Sequence, residues 1–172
     1  MSGKVLVIAI LLSALIAGGA LYYLQIYGYY EEVAATSPEA EIRLTRFDGT
    51  QEALPVEGFE GIDAASSPIR FRACFTTPVS QAMLSETFAP YERAEPLVAP
   101  GWFDCFDAIA IAEGLRSGAA LPFLGEKNIA YGVDRLVVVF DDGRAYAWHQ
   151  LNDCGEKAYD GTPVGEACPT RE

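Results

Sequence analysis

An α+β domain tied by disulfides, carried behind one N-terminal transmembrane helix, is the fold class that three observations predict. Residues 5–24 read VLVIAILLSALIAGGALYYL, without a charge. Two β-rich runs flank Asp142-Gly143 in RLVVVFDDGRAYAWHQ. Four cysteines, Cys74, Cys105, Cys154 and Cys168, form an even set in a chain of 172 residues, which in a small exported domain reads as two disulfides.

As a helix rising about 1.5 Å per residue, the apolar run spans a hydrocarbon core of roughly 30 Å. A cleaved signal peptide is the competing reading, because Lys4 is basic and Ala17, Gly18 and Gly19 are small. Against it, apolar and aromatic residues continue past that cleavage site, and Tyr22, Tyr23, Tyr27, Tyr29 and Tyr30 suit an interfacial belt. The chain therefore divides into a cytoplasmic N-terminus (1–4), a transmembrane helix (5–26), an aromatic interface and tether (27–40) and an exported α+β domain (41–172). Lys4 on one flank and Glu31 and Glu32 on the other set that orientation, since basic flanks stay in the cytoplasm. Within the helix, Ser13 with Ala17 and Ala14 with Gly18 are small-xxx-small pairs that let another helix pack closely.

Residues 31–39 (EEVAATSPE) are polar and small, as in a tether. Beyond them Ile42 and Leu44 alternate with Arg43 and Thr45 in a first strand, followed by an Asp48-Gly49 turn. In PIRFRACF a second strand places Ile69, Phe71, Ala73 and Phe75 on one face and Arg70, Arg72 and Cys74 on the other. A short helix fits 79–88, and the Pro-rich YERAEPLVAPGW makes an irregular connection. Residues 103–116 predict a helix with an apolar stripe of Phe103, Phe106, Ile109 and Ala110, and with Asp104 and Asp107 near its positive end. A two-residue turn at Asp142-Gly143 sets Asp141 opposite Arg144, Val139 opposite Tyr146 and Val137 opposite Trp148, with His149 on the face of Leu136, Val138 and Phe140. Strands and helices do not alternate as βαβ units. The architecture is a small, mainly antiparallel sheet with one or two helices against a face.

The stretch CGEKAYDGTPVGEACP holds two cysteines five and nineteen residues after the only histidine, His149. A zinc or haem site needs closely spaced ligands, and there is no CxxC, CxxCH or HxxxH. A Cys154–Cys168 bridge closes a loop of about fifteen residues, worth roughly 3 kcal/mol in the chain-entropy model. Gly155, Gly161, Pro163 and Gly165 keep that loop from ordering itself. Cys74 and Cys105 then bridge a strand to the start of a helix, the crossed pairings being second choice.

No motif names a reaction. GxSxG, Walker-type, dinucleotide and calcium-loop patterns are absent; Asp104 with Asp107, and Asp153 with Glu156 and Asp160, read as solvated carboxylates. His149 reads as a satisfied strand residue, and no catalytic residue, metal or cofactor is predicted. The charge is more informative: beyond the anchor eleven basic groups face twenty-four acidic ones, a net of about −13. That excludes nucleic acid as a partner; the acidity reads first as solubility and second as an attraction for basic soluble proteins.

The start MSGKVLVIAILLSALIAGGALYYLQIYGYYEE, with LPFLGEKNIAYGVDRLVVVF, resembles a small family of single-pass proteins from alphaproteobacteria related to Rhodobacter and Paracoccus, carried as a domain of unknown function. The resemblance implies a Gram-negative inner membrane with the domain in the periplasm, and transfers no catalytic residue. The expected function is a non-catalytic accessory or assembly subunit of a larger integral membrane complex, by analogy a respiratory or photosynthetic electron-transfer complex. Its partners are then membrane lipid, that complex and a basic soluble cytochrome. The alternative is a stand-alone membrane-anchored periplasmic enzyme or ligand-binding domain. In it Trp102, Trp148, His149, Arg70 and Arg72 line a pocket, the arginines holding an anion.

Overall fold

The computed structural model describes residues 3–170. The chain forms two units, Met1–Tyr30 and Glu31–Glu172. In the first, helix α1 (Gly3–Tyr23) continues into a π-helical turn, Leu24–Gly28. Together they make a 26-residue helix long and apolar enough to cross a membrane. No residue of α1 is buried by the chain itself, as its all-round apolar surface requires of a helix solvated by lipid or by a partner helix. The Tyr23 and Tyr27 rings stack with centroids 6.0 Å apart.

The second unit is an α+β domain. Its strands are β1 (Glu31–Glu32), β2 (Arg43–Thr45), β3 (Gln51–Ala53), β4 (Glu57–Asp63), β5 (Arg72–Thr76), β6 (Ala120–Ala130), β7 (Val133–Phe140) and β8 (Arg144–Leu151). Its helices are α2 (Gln81–Thr87) and α3 (Ala108–Ser117). Six strands form one sheet in the order β1-β4-β5-β8-β7-β6, every neighbouring pair antiparallel. The β2-β3 pair stands apart, its turn closed by Thr50 N–H donating to Asp48 Oδ1 at 2.9 Å.

Both faces of the sheet are covered. On one, Phe71, Phe75, Val137 and Val139 meet Ile42 and Leu44 of the β2 region and Leu84 and Phe88 around α2. On the other, Leu136, Val138, Phe140 and Trp148 meet Phe106 and Ile111 around α3. Every residue of β7 is buried, which is why LVVVF runs unbroken instead of alternating. The helices thus lie on opposite faces. Cys74–Cys105 ties β5 to the segment before α3, and Cys154–Cys168 closes the C-terminal loop.

Four local expectations are corrected. The tether begins as structure: Glu31 and Glu32 pair with Asp63 and Ile62, and Val33 N–H donates to Gly61 O at 2.8 Å. Edge pairing uses backbone groups, so polar side chains do not forbid it. The strand at PIRFRACF begins at Arg72. The helix expected at 103–116 starts at Ala108, because Asp107 caps it by accepting from Ile109 N and Ala110 N at 2.9 and 3.1 Å. Its buried residues are Ile111 and Gly114 while Ile109 is exposed, and Phe106 reaches the core from the preceding turn. Finally, the β7–β8 hairpin turns through three residues. Gly143, at φ +86°, donates to Phe140 O at 3.1 Å, and Val139 pairs with Ala145, Val138 with Tyr146 and Leu136 with Trp148. A turn ending in a left-handed glycine is the usual three-residue hairpin. Arg144 accordingly bonds Asp142, at 2.7 Å, and not Asp141.

Candidate functional site

Because side chains alternate along a strand, the one-residue change of register moves all of β8 to the other face. His149 therefore lies opposite Arg135 on the face of Val137 and Val139, not with Leu136, Val138 and Phe140. Arg135 Nε donates to His149 Nε2 at 3.0 Å, and His149 Nδ1 bonds Pro68 O at 2.8 Å. Since Arg135 only donates and Pro68 O only accepts, the imidazole is the neutral Nδ1–H tautomer. Its ring stacks on Phe71, centroids 4.7 Å apart, and the Arg135 guanidinium lies 4.3 Å from that same phenyl. Burial first, then the charges of Arg135 and Arg72, push the His149 pKa down to about 4, against the opposing bond to Pro68. Both nitrogens are occupied by the fold, and no lone pair of His149 is left for a substrate.

Arg135 also donates to Glu39 O and Glu41 O at 3.3 and 3.4 Å, pinning the chain that leads into β2. Burial lowers its pKa, with Glu126, Asp63 and Glu39 opposing. Asp63 sits near this group in a shallow cleft of about 270 Å³ lined also by Pro68, Ile129 and His149. Burial raises its carboxyl pKa, and the Ala64 N–H and the nearby arginines hold it back.

The arginine pair proposed for an anion does not assemble on one strand face. Arg72 is 4% exposed, and its guanidinium donates to Leu97 O, Ile69 O and Phe71 O at 3.0, 2.8 and 2.7 Å. Arg70 precedes the strand, its N–H donating to Ser67 O. Trp148 is wholly buried between Leu136 and Phe106, the latter edge-on at 6.2 Å. Trp102 lines a different cleft from His149. The residues assigned to a single pocket are thus spread over a core, a backbone anchor and two separate clefts.

A polar network that sequence reasoning missed surrounds Asp134, 2% exposed. Its carboxylate accepts from Tyr91 Oη at 3.2 Å, Asn128 N at 2.9 Å and Asn152 Nδ2 at 2.7 Å. Asn152 Oδ1 accepts in turn from Cys154 N at 3.0 Å, so the network joins the adjoining ends of β6 and β7 to the stapled loop. The Tyr91 phenol is raised by burial and by the adjacent carboxylate. Among the described residues, no group of three or more His, Cys, Asp or Glu side chains is arranged to hold a metal ion.

In α1, Ser13 Oγ donates to Ile10 O at 2.9 Å, spending its hydroxyl within the helix. Ala14, Ala17 and Gly18 are exposed, and nothing lies within 4 Å of a Cβ placed on Gly18.

No curated protein and no solved structure matches this chain. A family model described as a family of unknown function (DUF6446) matches residues 42–169, which takes in β2, the whole hairpin, both disulfides and the His149–Arg135 pair. The chain belongs to that family, DUF6446.

Proposed function

We propose that the protein is a non-catalytic accessory or assembly subunit, held by its N-terminal helix in a bacterial inner membrane, with its disulfide-tied domain in the periplasm. The observation that carries this reading is where the side chains capable of chemistry go. His149, Arg72 and Trp148 are 6%, 4% and 0% exposed and bond or pack within the domain. A 26-residue apolar helix with no residue of α1 buried by its own chain supports the anchor. Two disulfides support an oxidising compartment. The host class favoured is a respiratory or photosynthetic electron-transfer complex, on the analogy that such complexes recruit single-helix subunits and meet basic soluble cytochromes.

Purification from membranes in mild detergent tests it. The expected result is co-purification with larger integral membrane proteins in fixed proportion. A monomer free of any partner, across several mild detergents, overturns it.

A further inference from the structure

We propose that the Cys154–Cys168 bridge is a thiol–disulfide exchange site for a dithiol protein, which opens and closes the C-terminal loop while Cys74–Cys105 keeps the sheet intact. That such a protein is met in the periplasm rests on the placement given above; the chemistry of the bridge does not. The two bridges differ in what surrounds their sulfurs. Cys74 is 8% exposed, lies in β5 between β4 and β8, and packs with Phe106 and Trp148, and Cys105 packs against the same cluster. Cys154 and Cys168 belong to neither core cluster and are both partly exposed. Residues 155–164 between them are exposed without exception, Tyr159 wholly so. Two neighbouring positions also carry no side chain towards the sulfurs. A Cβ at Gly155 would stand 3.1 Å from Cys168 Sγ and one at Gly132 3.9 Å from Cys154 Sγ, and φ of +71° and +70° favours glycine at both. A charged thiolate reaches a sulfur readily only where it need not be desolvated in an apolar core, so attack falls on this bridge.

Opening the bridge is separable from unfolding the domain. Gly155 N–H donates to Glu166 O at 2.9 Å, Val164 N–H to Glu156 O at 3.0 Å and Ala158 N–H to Thr162 O at 2.8 Å, all within the loop. The ion pair that ties the loop to β6, Lys127–Glu166, has side chains 42% and 56% exposed, and such a surface pair holds little by itself. Covalent closure therefore keeps the loop in place. Glu166 lines a cleft of about 250 Å³ with Lys127, Tyr91 and Asp134, so releasing the loop takes away one wall beside the Asp134 network. In the exchange, one thiolate of the dithiol attacks Sγ of Cys154 or Cys168. A mixed disulfide forms, the Cys154–Cys168 bond breaks, and the other cysteine leaves as a thiolate that takes a proton from water. The second thiol of the reductant, deprotonated, attacks the mixed disulfide, closes its own disulfide and frees the remaining cysteine. The loop gains two electrons and two protons, the reductant loses both, and the reverse reaction restores the bridge.

The two bridges make the test internal. The full chain in mild detergent is treated under native conditions with reduced thioredoxin, used as a model dithiol protein, and thiols are trapped by alkylation and mapped at each cysteine. Cys154 and Cys168 should be labelled together, roughly a hundredfold faster than Cys74 and Cys105. Thioredoxin whose second cysteine is replaced by serine should stall as a mixed disulfide on Cys154 or Cys168. On reduction, amide exchange at Gly155 and Val164 should quicken roughly tenfold while that of β7 stays unchanged. Oxidised glutathione should then re-form the Cys154–Cys168 bridge alone. Equal rates at the two bridges, trapping on Cys74 or Cys105, or loss of protection in β7 together with the loop overturns the proposal. Reduction by dithiothreitol without any thioredoxin adduct overturns it too, since the bridge is then open to small thiols and not to a protein. A chain that exchanges at this bridge but has no host complex leaves the site standing without the accessory reading. A chain that co-purifies with a host while its Cys154–Cys168 bridge resists reduction does the reverse.

Discussion

His149 is held neutral by two bonds that a proton would set against each other. A proton on Nε2 would point an N–H at the Arg135 Nε–H that it now accepts from at 3.0 Å, beside a charge that cannot leave. Folding thus depresses its pKa from 6.5 to about 4, so below the unfolded value the unfolded chain binds the proton and the native state does not. Stability contributed by this residue is full above pH 6.5 and falls as pH drops to about 4, in total by about 3 kcal/mol. Asp63, whose pKa is raised by burial, acts in the opposite sense, adding stability as it protonates. Urea unfolding at pH 7 and pH 5 is expected to show a loss of about 2 kcal/mol in the wild type that His149→Asn abolishes, although the variant is less stable at pH 7. Equal pH slopes in the two proteins would show that the imidazole is not buried beside Arg135.

At the scale of elements, α3 seats on the sheet through an absence. A Cβ on Gly114 would lie 2.5 Å from Phe140 Cε1 and Cζ and 3.2 Å from Ala120 Cβ. That phenyl also meets Tyr146 edge-on, with ring centroids 5.7 Å apart. Glycine inside a helix costs about 1 kcal/mol in propensity relative to alanine, so Gly114→Ala gains that locally and loses roughly 1–3 kcal/mol by overpacking. We expect a net destabilisation of about 1 kcal/mol in chemical denaturation. Alanine at exposed Ala110 replaced by leucine, one turn earlier, should be within about 0.5 kcal/mol of wild type. A Gly114→Ala protein more stable than wild type would mean that α3 stands further from β7 than described.

For the whole domain the two disulfides divide the labour. Cys74 is 8% exposed in the core of the α3 face, and its bridge to Cys105 spans 31 residues, roughly 4 kcal/mol of unfolded-state entropy. Cys154–Cys168 instead closes a largely exposed loop held by Gly155 N–H to Glu166 O at 2.9 Å and by the Lys127–Glu166 ion pair. Replacing Cys74 and Cys105 by alanine should lower the thermal midpoint of the entire domain. The Cys154→Ser/Cys168→Ser pair should leave the sheet nearly as stable while admitting protease cleavage within 155–167. Alkylation of the unreduced, denatured wild type should find no free thiol, and a reactive thiol there would refute the staples.

What the sequence determined by itself is whatever is written locally. The uncharged run announces a membrane-length helix, the even cysteines and their spacing announce the staples, and β-rich runs around a Gly turn announce the hairpin. Local signals also mark α2 and the domain's α+β class, because capping, periodicity and turn chemistry involve neighbours in the chain. Strand β6 was not legible, since Pro122 and Gly125 argue against a strand and only its place at the sheet edge admits them. The hairpin register turned on one residue: DDG permits two- or three-residue turns, and packing on both faces of β7 selected the latter. From that choice follow the His149–Arg135 pair, the burial of Trp148 and the scattering of the residues once grouped as a pocket. The network around Asp134 joins Tyr91, Asn128 and Asn152 from separate segments of the chain through strand pairing. Tertiary structure alone decides such groupings, because long-range pairing and burial are properties of the packed chain and not of any window within it.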